Sequence, residues 1–147
     1  MSVPGSDPHV TVDLAKVGEH LFQATNARGA TITIGDGAGT EFTPVELLLA
    51  AMAACGSLDI DYITGKRAPF ASFAARATGL KVRDEDGNHL VDLEVVYDAT
   101  FPEGEGGDAA RDVLPSAIQR SQDRLCTVGR TLTLGSPVSY VPGAIEG

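Results

Sequence analysis

The chain contains no tryptophan, and aromatic residues fill only 5% of its 147 positions. Its core must therefore be built from Ala, Val, Leu and Ile. Basic residues are scarce too: 11 Lys and Arg stand against 20 Asp and Glu, a formal net charge of −9. No Lys/Arg run offsets that charge, so phosphate backbones and anionic bilayers are repelled, and neither nucleic acid nor membrane is expected as a partner. Long apolar runs are missing as well. The longest, Leu47 to Cys55, lies between Glu46 and Asp59 and falls far short of the ~20 residues that span a bilayer. The opening MSVPGSDPHV lacks the basic start and apolar stretch of a signal peptide, so a cytoplasmic location is expected. There are two cysteines, which in a reducing compartment read as free, catalytic or inert rather than as a permanent disulfide. His9, His20 and His89 fall at no metal-ligand spacing with them. Neither a metal nor another cofactor is expected.

What is present suits one folded domain spanning 1–147. Apolar residues make up 43% of the chain, and a domain of this size hides roughly 68–70% of its unfolded surface without a staple. Residues 1–8, with two Pro and one Gly, read as a loose lead-in, and 142–147 as a Gly-rich tail. Val10, Val12 and Leu14 alternate with polar residues as in a half-buried strand. Leu21–Ala24 and the Ile32/Ile34 segment add two more strands around the turn Asn26-Ala27-Arg28-Gly29. Gly35–Thr40 lacks the Lys-Ser/Thr of a phosphate cradle and reads as a connecting loop.

The best-defined element is a helix from Pro44 to about Lys66–Arg67. Thr43 at the N-cap and Glu46 at N3 form a capping box, Pro44 fits N1, and Phe42 with Leu47 makes a hydrophobic staple. Some 22 residues at ~1.5 Å each give a rod of about 33 Å, thinned by Ala50, Ala51, Ala53 and Ala54. A hairpin follows, Phe70–Arg83 and Leu90–Phe101 around Asp84–Asn88. In its second strand Val91, Leu93, Val95, Tyr97, Ala99 and Phe101 alternate with Asp92, Glu94, Asp98 and Thr100, which reads as one apolar face. Residues 84–112 hold ten of the acids against Arg111, most simply a solvated face. A second helix is expected from Asp108 or, favoured because of Pro115, from Asp112, and on to Leu125. Cys126 closes or continues it. Val128–Leu134 is ambiguous, and Pro137–Val141 reads as a last strand. The order is βββ-α-ββ-α-β, an α+β fold with helices segregated from strand runs.

Chemistry centres on the cysteines. Cys55 sits mid-helix among Ala and Leu, with Met52 and Asp59 on its face. Cys126 lies among Arg120, Arg124 and Arg130, whose charge favours thiolate, while Asp123 opposes it. On these residues alone, an inert buried thiol and a reactive one both remain open.

The run Thr43-Pro44-Val45-Glu46-Leu47-Leu48-Leu49-Ala50-Ala51-Met52-Ala53-Ala54-Cys55, with Leu58-Asp59-Ile60 after it, resembles the signature helix of the OsmC/Ohr family. Leu125-Cys126-Thr127-Val128 resembles that family's second-cysteine motif, and the resemblance extends over about residues 10–141. It implies an intertwined homodimer with the long helix buried between sheets and the sites at the interface. It also implies a thiol peroxidase for organic hydroperoxides or hydrogen peroxide, with Cys55 peroxidatic and Cys126 resolving. A dithiol, small or carried by a protein, would be the reductant. In the family's peroxidases an acid directly follows the motif Pro; here Val45 stands there and Glu46 comes next. Glu46 is thus both a candidate catalytic acid and half of a capping box. The family's N-terminal Arg has no clear counterpart, since Lys16 and Arg28 alone precede the helix. The competing expectation is a non-catalytic OsmC-like dimer that binds an apolar small molecule between subunits.

Overall fold

The computed structural model describes residues 8–145. Positions 1–7 of the expected lead-in and 146–147 of the expected tail lie outside the described residues. The chain divides within its long helix into two compact units, one up to Leu48 and one from Leu49 onward.

The first unit is an antiparallel sheet in the order β1-β2-β3, made of β1 (Val12–Gly18), β2 (Leu21–Asn26) and β3 (Thr31–Ile34). The expected turn forms because the Asn26 carboxamide oxygen accepts the Arg28 and Ala30 N–H groups, both at 3.0 Å, the local side-chain bonding that makes Asn a turn residue. The alternation in β1 is real, yet its apolar face is open: Val12 is 61% and Leu14 54% exposed. After β3 the Gly-rich stretch closes on itself. Asp36 accepts the Ala38 N–H at 3.0 Å, and Ile34 bridges Phe42. Helix α1 (Pro44–Thr64) starts as its sequence predicts. Glu46 Oε1 accepts the Thr43 N–H at 2.8 Å, and Thr43 Oγ1 accepts the Glu46 N–H at 3.2 Å, a reciprocal pairing of two otherwise orphaned donors.

In the second unit α1 ends at Thr64, two to three residues earlier than expected. Thr64 Oγ1 bonds back to the Ile60 carbonyl at 2.8 Å, and Arg67 caps the Ile63 carbonyl at 3.2 Å, a cation meeting a helix C-terminus. The buried positions of α1 are Met52, Gly56, Ile60 and Thr64. They repeat every four residues, so one narrow seam is packed. With 21 residues and a mean hydropathy of 1.4 in its most apolar stretch, α1 is long and apolar enough to cross a membrane, which the short Leu47–Cys55 run did not suggest. Within this fold the same length serves to bury Ile60 and Thr64 completely.

Strands β4 (Ser72–Asp84) and β5 (Gly87–Thr100) form the long hairpin, paired from Ser72–Thr100 to Asp84–Gly87. The continuous apolar face expected along β5 is broken. The register shifts between Thr78 and Leu80, and Asp92 takes φ 54°. The extra residue is on β5, where Asp92 and Leu93 stand opposite Gly79 alone, and the Leu90 and Leu93 side chains close over that glycine; a Cβ there would lie 2.9 Å from Leu93. The bulge places Leu90 beside Leu93, where strict alternation would have paired Leu93 with Val91. Beyond it the alternation holds through Val95, Tyr97, Ala99 and Phe101. Phe101 packs with Ala68 and Ala110, flanked by Phe70, Ala99 and Leu114. The Phe70 ring stacks on Phe73 at 4.6 Å and Phe101 at 5.4 Å, within the range favoured for aromatic pairs.

Helix α2 spans Glu105–Arg120 and contains Pro115, which corrects the expected start at Asp112. An interior proline costs ~3 kcal/mol. Here it is exposed, and the helix is held on either side by Ala110 and Ala117, both 0% exposed. Its first turn carries Glu105 and Asp108 against the helix dipole, and Arg111 links Asp108 (2.8 Å) to the Phe101 carbonyl (3.4 Å). Ser121–Leu125 then forms a π-helical turn. The ambiguous Val128–Leu134 segment lies in α3 (Thr127–Leu134). The strand expected at Pro137–Val141 is absent: those residues have no regular structure, with Tyr140 91% exposed. With no neighbouring strand there to supply hydrogen bonds, its alternation has nothing to register against. The result is a mixed α+β architecture of three helices and two small sheets.

Candidate active site

Cys55 is half-buried at mid-α1, and Cys126 is 6% exposed at the junction of the π turn and α3. The turn does the positioning. The Cys126 N–H reaches the Ser121 carbonyl, five residues back, at 2.9 Å. Cys126 then leaves helical geometry at φ −72°, ψ 99° and becomes the N-cap of α3. Its Sγ accepts the Gly129 N–H at 3.3 Å, the role Ser or Asp fills at other helix starts. Helix α1 delivers the other sulfur, near enough for Cys55 to act on the Cys126 thiol electrostatically. Both cysteines are free.

Burial is the largest influence on Cys126 and pushes its thiol above its ordinary value of 9.0. The Gly129 N–H pulls the other way, while the negative charges of Cys55 and Asp59 add to the rise. Cations were expected from Arg120, Arg124 and Arg130; the charges that shift the Cys126 thiol are those of Cys55 and Asp59. Asp123, expected to oppose ionisation, is held by the Gln119 amide at 2.9 and 3.0 Å. The carboxylate that does act is Asp59, one turn beyond Cys55, which accepts the Ser121 hydroxyl at 2.9 Å.

Tyr97 completes the cluster. Its hydroxyl lies directly on Gly56, where an added Cβ would overlap it and sit 3.0 Å from Cζ and 3.5 Å from Ser121 Oγ. Glycine is the residue that permits this approach. Burial raises the phenol above 10.0, helped by Cys126, Asp59 and Cys55 in that order. A cleft of about 340 Å³ opens beside Cys126, lined by Tyr97 and Ser121, by the apolar Met52, Leu93, Val95, Ile118 and Leu132, and by the polar Glu94, Gln122 and Thr133.

Of the candidates predicted from sequence, Cys55 and Cys126 are brought together. Glu46 belongs to the other compact unit, where its carboxylate serves the cap. Sequence reasoning missed Gly56, Tyr97 and Ser121. The Cys55/Asp59 spacing of four was a usable signal for Asp59, but Tyr97 was legible only as an apolar-face residue. Among the described residues no group of three or more His, Cys, Asp or Glu could hold a metal ion.

The OsmC-like protein family matches residues 35–141. The chain belongs to that family. An uncharacterised protein of Mycobacterium tuberculosis is 28% identical to this OsmC-like protein over 127 residues, 84% of this chain and 89% of its own length. Among solved structures, an OsmC-like protein from Mycoplasma pneumoniae superposes with a TM-score of 0.68 at 17% identity, covering 87% of this chain and 89% of that one. The organic hydroperoxide resistance protein OhrB of Bacillus subtilis superposes with a TM-score of 0.52 at 14% identity, covering 82% and 90%. At these identities the structural likenesses establish the fold of the OsmC-like protein, and its chemistry is argued from its own residues.

Proposed function

We propose that this OsmC-like protein is a cysteine-dependent peroxidase that reduces organic hydroperoxides or hydrogen peroxide. The observation that carries the reading is the pairing of Cys55 with Cys126, the second of which lines a cleft. Of the two sulfurs, Cys126 holds its proton, raised by burial first, and its S–H can donate to Cys55. Cys55 is left as the nucleophile. Its thiolate attacks the terminal peroxide oxygen, the O–O bond breaks, and the alkoxide or hydroxide departs and takes up a proton. The Cys55 sulfenic acid then condenses with the Cys126 thiol, forming the S–S bond and releasing water. A dithiol, small or protein-borne, restores both thiols by exchange. The reading includes a homodimer acting in the cytoplasm. Leu58 at 57% and Tyr62 at 74% exposure on α1 leave apolar surface that a second subunit would cover. A catalytic part for Glu46 is also open to test.

The single-cysteine variants decide the matter. Cys55→Ser should abolish peroxide consumption. Cys126→Ser should react once, leaving a sulfenic acid that a 1,3-dicarbonyl probe traps. Wild type should instead lose two hydrogens in intact mass, reversibly. If millimolar peroxide leaves both wild-type thiols free, the peroxidase reading is wrong, and the Met52, Leu93, Val95, Ile118 and Leu132 side chains of the cleft then favour a non-catalytic binder.

A further inference from the structure

We propose that the Tyr97 hydroxyl is a catalytic group of this site, hydrogen-bonding the oxygen that leaves when the peroxide O–O bond breaks and giving it a proton. The inference rests on the peroxidase reading and adds a residue to it. Expulsion of an alkoxide is a strongly basic departure, and a positioned acid lowers its barrier. The thiols are consumed by the reaction itself, Cys55 as nucleophile and Cys126 as its partner in the disulfide, and the Ser121 hydroxyl is committed to Asp59. Tyr97 is placed for it. Its side chain lines the cleft that holds Cys126, its hydroxyl rests on the residue after Cys55, and its ring is held 6.3 Å from Phe73. Among the described residues no group hydrogen-bonds that hydroxyl, so its O–H is free for an occupant of the cleft. Burial and the neighbouring negative charges keep the phenol protonated, the state an acid needs.

The step balances. The Cys55 thiolate displaces RO⁻ from HO–OR, so sulfur carries the OH as sulfenic acid. The phenol proton passes to RO⁻, giving the alcohol, and water reprotonates the phenolate. The acid matters in proportion to the basicity of the leaving group. Alkyl alkoxides need the proton, whereas the carboxylate expelled from a peracid does not.

The test compares wild type with Tyr97→Phe on tert-butyl hydroperoxide and on peracetic acid, following single-turnover oxidation of Cys55. Tyr97→Phe should slow the alkyl hydroperoxide by ~100-fold, at the low end of general-acid effects, and the peracid by less than ~3-fold. Equal losses on both substrates, or none on either, overturn the proposal. Fluorotyrosine at position 97 keeps the shape and the O–H, so it should hold the alkyl hydroperoxide rate within ~3-fold of wild type. A loss as deep as that of Tyr97→Phe makes the residue structural and also overturns it. If wild type oxidises with neither substrate, it is the peroxidase reading that has failed, and the Tyr97 proposal falls with it.

Discussion

Gly56→Ala tests the packing that brings the cluster together. Glycine inside a helix is ordinarily a weakness, and alanine there gains about 1 kcal/mol of propensity. Gly56 is buried, and its Cβ would overlap the Tyr97 hydroxyl with Cζ at 3.0 Å. Tyr97 is set in β5, whose register with β4 runs through the Ala75–Tyr97 pair, so its ring cannot slide away without cost. Overpacking of this kind costs about 1–3 kcal/mol. The net expectation is a destabilisation of about 1 kcal/mol, or about 3 °C in Tm for a chain of this size. Tyr97→Phe removes the overlapping oxygen. In that background the penalty should shrink and the propensity gain emerge, a coupling of about 1–2 kcal/mol, typical of residues in contact. Urea unfolding of wild type, both single variants and the double, at one protein concentration and with unchanged slope, measures all the terms. If Gly56→Ala is as stable as wild type, or if its effect is the same with Phe at position 97, then Tyr97 does not rest on α1 and the description of the cluster is wrong.

Thr43→Ala should cost ~1 kcal/mol by removing the cap oxygen, whereas Glu46→Gln, which can still accept the Thr43 N–H, should leave stability nearly intact. Peroxide reduction measured on Glu46→Gln then separates the roles: full activity makes Glu46 a cap alone. Cys126→Ala should loosen α3 by ~1 kcal/mol while Cys126→Ser keeps a cap; hydrogen exchange of the 129–134 amides distinguishes them, and equal protection would deny the sulfur its capping role. The raised Cys126 and Tyr97 have a further consequence, with ordinary values of 9.0 and 10.0. Well below pH 9 both are protonated in either state and contribute no slope; as pH approaches and passes that value the unfolded chain releases protons more readily, so stability falls as pH climbs. Chemical denaturation at stepped alkaline pH should show that fall, and Tyr97→Phe should flatten part of it.

Local chemistry was legible along the chain. The Thr43/Glu46 capping box, the Asn26 turn and the hairpin around Asp84–Asn88 each form because neighbouring residues satisfy one another's backbone groups, which needs no distant partner. The two motifs carrying Cys55 and Cys126 were likewise visible as sequence. Long-range packing was not. Pro115 argued for a late start to α2, yet buried Ala110 and Ala117 hold a helix through it. A regular alternation hid the bulge opposite Gly79, since period alone cannot report where two strands disagree in count. The π turn at Ser121–Leu125 turns Cys126 inward, a matter of one extra residue in a helical ladder that composition does not mark. Sequence by itself determined the first three strands, the capped start of α1, the long hairpin and the pair of thiols. Only the tertiary structure decided that those thiols meet, with Asp59, Ser121 and Tyr97 around them, because that depends on strand register and helix seam between residues far apart in the chain.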